Sequence, residues 1–351
     1  MGRRSPRHTS RLLSVALCLT CLAGVAIVPR TASAQVAGTG PAGVASSTGT
    51  IFAGSMVSYR NVVSAVSLDK NIEPTWNPYY AMTLMLAPRV QLGSRLSLSG
   101  MITASRELTS SDWTSEDGEA TLSDTFLTGS YRIGSVAGFG VSASAQVRLP
   151  TSKASLARTM RVSGLIGLVG SYSKAFTIGG WAQRVSLALI GRYGWYAHKY
   201  TTASLDTPWL DGCADLVGGC SRFAHSGARN PETRTQGIAA LTWSPLSRLN
   251  LSAQFGVFYD TLYDLGTATS ASGVAVAADA TDPDARAIVF YVLSANVRIN
   301  KSLSIAFGTE TAHLQLAPDS TPRRPFFNRN TTFFIAIRLF PDAIVSTLRG
   351  T

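Results

Sequence analysis

The sequence predicts an all-β protein, a transmembrane antiparallel β-barrel of about 12 strands in the outer membrane of a Gram-negative bacterium. Three observations predict it: segments of alternating apolar and polar residues, an N-terminal export signal, and a regular order of long and short connections. Alternation with a period of two separates apolar from polar side chains on the two faces of a strand. After the export signal, no stretch approaches the roughly 18 apolar residues that a membrane helix needs.

The clearest alternation lies in residues 121–152, which form a predicted β-hairpin with a turn at 134–138. In its second arm the apolar positions are Phe139, Val141, Ala143, Ala145, Val147 and Leu149, and the polar positions are Ser142, Ser144, Gln146 and Arg148. A soluble sandwich alternates in the same way, so this hairpin alone does not distinguish it from a membrane barrel.

The N-terminus has the three regions of a secretory signal peptide. Arginines at 3, 4, 7 and 11 precede an apolar run at 12–28, and Ala32-Ser33-Ala34 supplies an A-x-A cleavage site. We therefore predict a signal peptide at 1–34, with an N-terminal membrane anchor as the alternative, and a flexible leader at 35–49. Cleavage removes five arginines and no acidic residue, which lowers the formal charge from +11 to +6. The remaining charge is lower than nucleic-acid binders usually carry.

Two cysteines, Cys213 and Cys220, remain after cleavage and lie in a glycine-containing loop. In an exported protein such a pair predicts a disulfide bond. A metal site is the less favoured reading, because tetrahedral sites use four ligands and only His225 lies nearby.

Alternating segments recur along the chain and define the predicted barrel domain, residues 50–340, followed by a C-terminal tail at 341–351. The predicted strands are at about 51–60, 80–86, 96–106, 126–133, 139–149, 161–173, 184–199, 234–244, 249–259, 287–299, 303–313 and 331–340. Connections after odd-numbered strands are long and those after even-numbered strands are mostly short. Outer-membrane barrels have this pattern, because their periplasmic turns are short and their extracellular loops longer.

The strand faces assigned to the interior carry more arginines than acids. The candidate lumen residues are Arg89, Arg132, Arg148, Arg192, Arg298, Arg338, Asp124, Asp260 and Glu310. A barrel of this size has a backbone radius of roughly 12 Å, so inward side chains leave a narrow passage or fill it. Unpaired guanidinium groups would favour anions and could bind a carboxylate or phosphate bidentately. The alternative is that these arginines pair with the inward acids and brace the wall.

One combination of residues resembles a known family. It consists of Asp124, Tyr131, a short turn, a strand of small residues and then Leu149-Pro150-Thr151-Ser152. This combination resembles the outer-membrane transporters grouped with the MetA-pathway phenol-degradation family. The resemblance covers residues 121–152 and implies a channel or transporter for small molecules. Many bacterial barrels finish on an aromatic residue, whereas this chain continues past Phe340.

We therefore expect a channel for passive or facilitated passage of small solutes, anions among them, with outer-membrane lipid and lipopolysaccharide as its surroundings. A non-conducting structural or adhesive barrel is the alternative, and a lumen filled by Phe126, Phe258, Phe290 and Phe334 would favour it. We expect no enzyme activity and no cofactor. A barrel phospholipase would need a histidine and a serine two residues apart on one strand face, which His198, His225 and His313 do not provide.

Overall fold

The structure is a computed structural model that describes residues 51–65, 79–109, 118–206, 223–264, 267–269, 275–277, 284–315 and 322–349. The predicted signal peptide, the leader and both remaining cysteines lie outside the described residues. The sequence-based expectations for them therefore stay predictions.

Twelve strands form a closed antiparallel barrel within the described residues. They are β1 Met56–Ser64, β2 Tyr80–Ala87 with its continuation Arg89–Leu92, β3 Leu96–Glu107, β4 Thr125–Val136, β5 Phe139–Leu149, β6 Met160–Ile178, β7 Trp181–His198, β8 Pro231–Leu246, β9 Leu249–Leu262, β10 Ala285–Arg298, β11 Leu303–Leu314 and β12 Thr332–Leu339. Each strand pairs with its neighbours in chain order, and the pairing of β12 with β1 closes the barrel. Closure gives each of the twelve strands a paired neighbour on both sides, which a lipid environment favours. The predicted fold class is confirmed.

Every predicted strand is present, and the largest differences in boundaries are at β1, β2 and β6. Strand β2 continues past its predicted end near residue 86, with Arg89–Leu92 following an interruption at Pro88. Strand β1 begins at Met56 rather than near residue 51, because residues 51–54 form a turn in which Gly54 has a φ of +88°. Strand β6 runs five residues beyond its predicted end, to Ile178, which pairs with Trp181 of β7. The turn between them uses Gly179 and Gly180 with φ angles of +58° and +82°, a conformation that glycine adopts without strain.

The long connections follow β1, β3, β5, β7, β9 and β11 and lie at one end of the barrel, which we call the long-loop end. The opposite, short-turn end has connections of a few residues, such as Ala137-Gly138 between β4 and β5. Two small hairpins extend the long loops, one pairing Thr202–Asp206 with Phe223–Arg229 and one pairing Thr267–Thr269 with Ala275–Ala277. A short strand, Ala120–Leu122, pairs with β3.

Two helices accompany the barrel. Helix α1, Lys153–Ala157, lies between β5 and β6, and its N-cap Ser152 accepts a hydrogen bond from the Ser155 backbone N–H at 3.1 Å. Helix α2, Pro341–Arg349, occupies most of the predicted tail and is attached to the short-turn end, where Asp342 Oδ2 accepts from Gly54 N at 3.3 Å. In the part of the chain that the structure describes, no helix is both long enough and apolar enough to cross a membrane.

The outer face of the barrel is an apolar band. Leu127, Phe307 and Ile335 point outward from three different strands and are 49%, 52% and 54% exposed. Their strand neighbours Phe126, Ala306 and Ala336 point inward and are buried. A band of this kind is stable in contact with lipid hydrocarbon. In water it would be unfavourable, because each Å² of apolar surface that leaves water gains about 25 cal/mol of free energy.

Candidate functional site

The barrel interior is the candidate functional site, and its wall is strongly basic. Strand alternation and burial place arginines on the inner face of eight strands: Arg60, Arg89, Arg132, Arg148, Arg184, Arg192, Arg234, Arg286, Arg298 and Arg338. The carboxylates on or beside the inner wall are fewer: Glu107, Asp124, Asp260 and Glu310.

Each of the three predicted inward acids forms an ion pair with an arginine. Asp260 accepts two hydrogen bonds from Arg234, from Nε at 2.5 Å and from an Nη at 2.8 Å, and both side chains are buried. Glu310 accepts from Arg60 at 2.8 Å, and Asp124 accepts from Arg148 Nε at 2.5 Å. These pairs fix side chains of different strands against each other inside the barrel.

Two arginines of these pairs, Arg60 and Arg234, were missed as interior residues by the sequence analysis. The signal was available, because both lie an even number of residues from buried inward side chains of their own strands, Val62 and Ile238. Extending the period of two to the ends of the predicted strands would have found them.

Five of the six predicted lumen arginines form no ion pair and no side-chain hydrogen bond with the described residues: Arg89, Arg132, Arg192, Arg298 and Arg338. Arg192 and Arg338 are half-buried on the inner wall, and their Nε atoms are shielded from water without a hydrogen-bond partner. Arg89 and Arg132 are exposed near the short-turn end. The structure thus shows a bracing contact for Arg148 and none, among the described residues, for the other five.

A connection folds into the long-loop end of the barrel and is held there by Asp124. Asp124 directly precedes β4 and is 1% exposed. Its carboxylate accepts hydrogen bonds from the Ser152 backbone N–H at 3.0 Å and from Ser155 Oγ at 2.6 Å, in addition to Arg148. This network fastens α1 to the inner wall. It also joins the two ends of the segment that carries the family resemblance, Asp124 and Ser152.

Arg158, at the C-terminus of α1, belongs to the interior although the sequence gave no indication of it. Its carbonyl oxygen accepts from Asn230 Nδ2 at 2.9 Å and lies 2.7 Å from His198 Nδ1. Burial, followed by the positive charges of Arg286 and Arg148, lowers the pKa of Arg158 to about 10, so the guanidinium remains charged at neutral pH. Its contacts with His198 and Asn230, at the ends of β7 and β8, place Arg158 at the long-loop end of the barrel, where its charge interacts with those of Arg286 and Arg148.

Aromatic and aliphatic side chains surround the charged groups. Phe126, Phe258, Phe290 and Phe334 all point inward and are between 1% and 7% exposed. The Arg60 guanidinium lies 4.1 Å from the centre of the Phe334 ring, and that of Arg234 lies 5.0 Å from the centre of the Phe258 ring. Cation–π contacts of this kind hold the arginines against the wall.

The described histidines contact backbone carbonyls. His198 Nδ1 lies 2.7 Å from the carbonyl oxygen of Arg158, and His313 Nδ1 lies 2.5 Å from that of Leu314. The side chain of His225 lies outside the described set. Among the described residues there is no group of three or more His, Cys, Asp or Glu side chains that could hold a metal ion.

The closed wall, the apolar outer band and the polar, arginine-rich interior define the class: the chain has the architecture of an outer-membrane β-barrel. No protein-family model matches the sequence, and no curated protein matches it.

Solved barrels resemble it in architecture. An outer-membrane channel from Pseudomonas putida F1 is 14% identical, with 83% of this chain and 98% of that chain covered and a TM-score of 0.45. The NanC porin is 10% identical, with coverages of 82% and 99% and a TM-score of 0.42. The transport unit of the autotransporter AIDA-I from Escherichia coli is 10% identical, with coverages of 89% and 98% and a TM-score of 0.35. At these identities the likeness concerns the barrel alone and carries no information about a solute.

Proposed function

We propose that the protein is an outer-membrane channel for passive or facilitated passage of small solutes, and that its interior favours anions. The observation that carries this proposal is the set of interior arginines that form no ion pair with the described residues, while Asp124, Asp260 and Glu310 are each paired. An excess of fixed positive charge in a narrow passage raises the local concentration of anions and lowers that of cations.

The positions of these arginines support a route with several binding points. Arg192 lies in the upper part of β7, towards the long-loop end. Arg298 and Arg338 lie at the short-turn ends of β10 and β12, and Arg132 lies near that end of β4. Successive weak sites let an ion enter and leave without being trapped. A carboxylate or phosphate fits a guanidinium bidentately, which makes small organic anions suitable solutes.

Conductance measurements test this proposal. The protein from residue 35 onward is refolded into a planar bilayer under a KCl gradient. It should open in discrete steps, and its reversal potential should have the sign of the chloride equilibrium potential. Replacing Arg132, Arg298 and Arg338 together by alanine should move the reversal potential towards zero. Arg106→Ala removes an exposed, outward arginine and should leave it unchanged. An unchanged reversal potential in the triple variant would refute the role of the arginines.

The second candidate is a non-conducting barrel that acts through its loops. It is favoured by the four buried inward phenylalanines and by the fastening of α1 at the mouth. This candidate would be supported if the folded wild-type protein and every variant gave no channel current in the planar bilayer.

The proposal has three further parts. They are cleavage after Ala34, a disulfide between Cys213 and Cys220, and residence among outer-membrane lipid and lipopolysaccharide. The motifs of the N-terminus support export, and export makes the disulfide favourable.

A further inference from the structure

One segment of the long-loop end lies on the outside of the barrel. Residues 322–331 form the second part of the connection from β11, which ends at Leu314, to β12. On the outer face beside them, Tyr291 and Thr311 are each only 3% exposed, although Leu293 and Phe307 on the same faces of the same strands are 42% and 52% exposed. The segment therefore covers the upper outer wall instead of projecting into the medium or into the interior.

Specific contacts hold this outer segment in place. The Tyr291 hydroxyl donates to the Phe326 carbonyl oxygen, and the two rings have centres 5.4 Å apart. The ring of Phe327 lies 6.4 Å from that of the outward-facing Phe333. Strand β12 begins at Thr332, opposite Glu310, so the last residues of β11 have no β12 partner and leave wall for the segment to cover.

Inside the segment, hydrogen bonds define one conformation. Asn328 Nδ2 donates to the Arg324 carbonyl oxygen at 2.7 Å, and the Asn328 backbone N–H donates to Thr331 Oγ1 at 2.9 Å. Asn328 itself is 3% exposed. These hydrogen bonds fix the backbone of the outer segment and therefore the directions of its side chains.

The outer segment combines positive charge with exposed aromatic rings. It contains Arg323, Arg324 and Arg329 and no acidic residue. The side chains of Phe326 and Phe327 are 60% and 37% exposed although they adjoin the apolar band. Arg324 is exposed and forms no ion pair with the described residues. Aromatic rings at the edge of a lipid layer and guanidinium groups beside them suit an amphiphile with a negatively charged head.

We propose that the outer segment is a binding site for a phosphorylated glycolipid of the outer leaflet. Long extracellular loops place this end of an outer-membrane barrel in the outer leaflet, which sets the phenylalanines among acyl chains and the arginines at headgroup level. Phosphate on an acylated sugar matches both features at once, because the guanidinium pairs with phosphate bidentately and the rings contact the chains. This inference goes beyond conduction and holds for a silent barrel as well.

Native mass spectrometry of the detergent-solubilised protein, titrated with bisphosphorylated lipid A, tests the site. The wild-type chain should retain one lipid A molecule, and the double variant Arg324→Ala/Phe326→Ala should bind it about tenfold more weakly, a loss expected from one charge-assisted contact and one ring. Arg106→Ala is the matched control: it removes an outward arginine at the same end but far from the segment, and should change affinity less than twofold.

Four results would overturn the proposal. They are equal lipid A affinity in the wild type and the double variant, an equal loss in the Arg106→Ala control, equal binding of lipid A without phosphates, and displacement of lipid A by inorganic phosphate at the same concentration. Both substituted side chains are exposed, so the variant should fold, which heat-dependent migration in gels verifies. Arg324→Ala alone serves if the double variant does not fold.

Discussion

At the scale of single residues, the interior is organised by pairs that join distant parts of the chain. Arg60 and Glu310 are 250 positions apart and meet because β1, β12 and β11 are adjacent in the closed wall. Buried pairs of this kind stabilise little by themselves, but loss of one partner leaves an uncompensated charge. Glycines permit close strand packing elsewhere in the wall, which a substitution can test.

Gly308→Ala should destabilise the barrel by about 1–3 kcal/mol, as overpacking does. A Cβ there would overlap the carbonyl oxygen of Leu293 and lie 2.9 Å from the Phe334 ring. Urea unfolding in phospholipid vesicles measures the change. Gly237→Ala is the control, because a Cβ at Gly237 meets no atom within 4 Å. Identical unfolding midpoints for the two variants would show that the wall at Gly308 relaxes freely.

At the scale of elements, we expect the position of α1 to control access to the interior of the proposed channel. A helix of five residues is too short to be stable alone, so its place depends on tertiary contacts. Asp124 supplies two of them, to Ser152 and Ser155, and is itself paired with Arg148 of β5. The Lys153–Glu119 ion pair at 2.6 Å is more exposed and should matter less.

Asp124→Ala should release α1 from the wall and increase single-channel conductance or open probability. The physical reason is that the connection between β5 and β6 would no longer be held at the long-loop end of the passage. Lys153→Ala, which breaks the more exposed pair, should leave both quantities near their wild-type values. The comparison requires both variants to show the heat-dependent gel migration of a folded barrel. A folded Asp124→Ala protein with wild-type currents would mean that α1 does not limit passage.

At the scale of the whole molecule, the net charge of the interior and not any one arginine should set ion preference. Arginines exceed carboxylates on the inner wall, and the ion pairs neutralise Arg60, Arg148 and Arg234. Arg132, Arg192 and Arg338 form no ion pair with the described residues and lie at different heights, so their fields overlap along the proposed route.

The preference for anions should therefore depend on salt. The Debye length falls from about 10 Å in 0.1 M salt to about 3 Å in 1 M salt, so screening should shrink the field at the centre of the passage. Reversal potentials measured at a constant tenfold KCl gradient should move towards zero as the mean concentration rises. A selectivity independent of salt would point instead to direct contact at a single tight constriction.

Much of the wall was predictable because its signal is local. The period of two along β5, β9 and β10 assigns their faces residue by residue, and the order of long and short connections indicates a membrane barrel. The candidates Arg192 and Arg338 follow from that same alternation. Strand ends were less accurate at β1, β2 and β6. At β1 and β6 turn glycines and not hydrophobicity decide the boundary.

The sequence by itself indicated a strand number of about 12, the apolar outer face and part of the set of inward arginines, since alternation and turns are properties of neighbouring residues. Only the tertiary structure decided which charges meet, that Arg158 lies at the long-loop end beside His198 and Asn230, and that residues 322–331 lie on the outer wall. These outcomes depend on closure of the barrel, which brings together side chains far apart in the chain, and a local pattern does not contain that information.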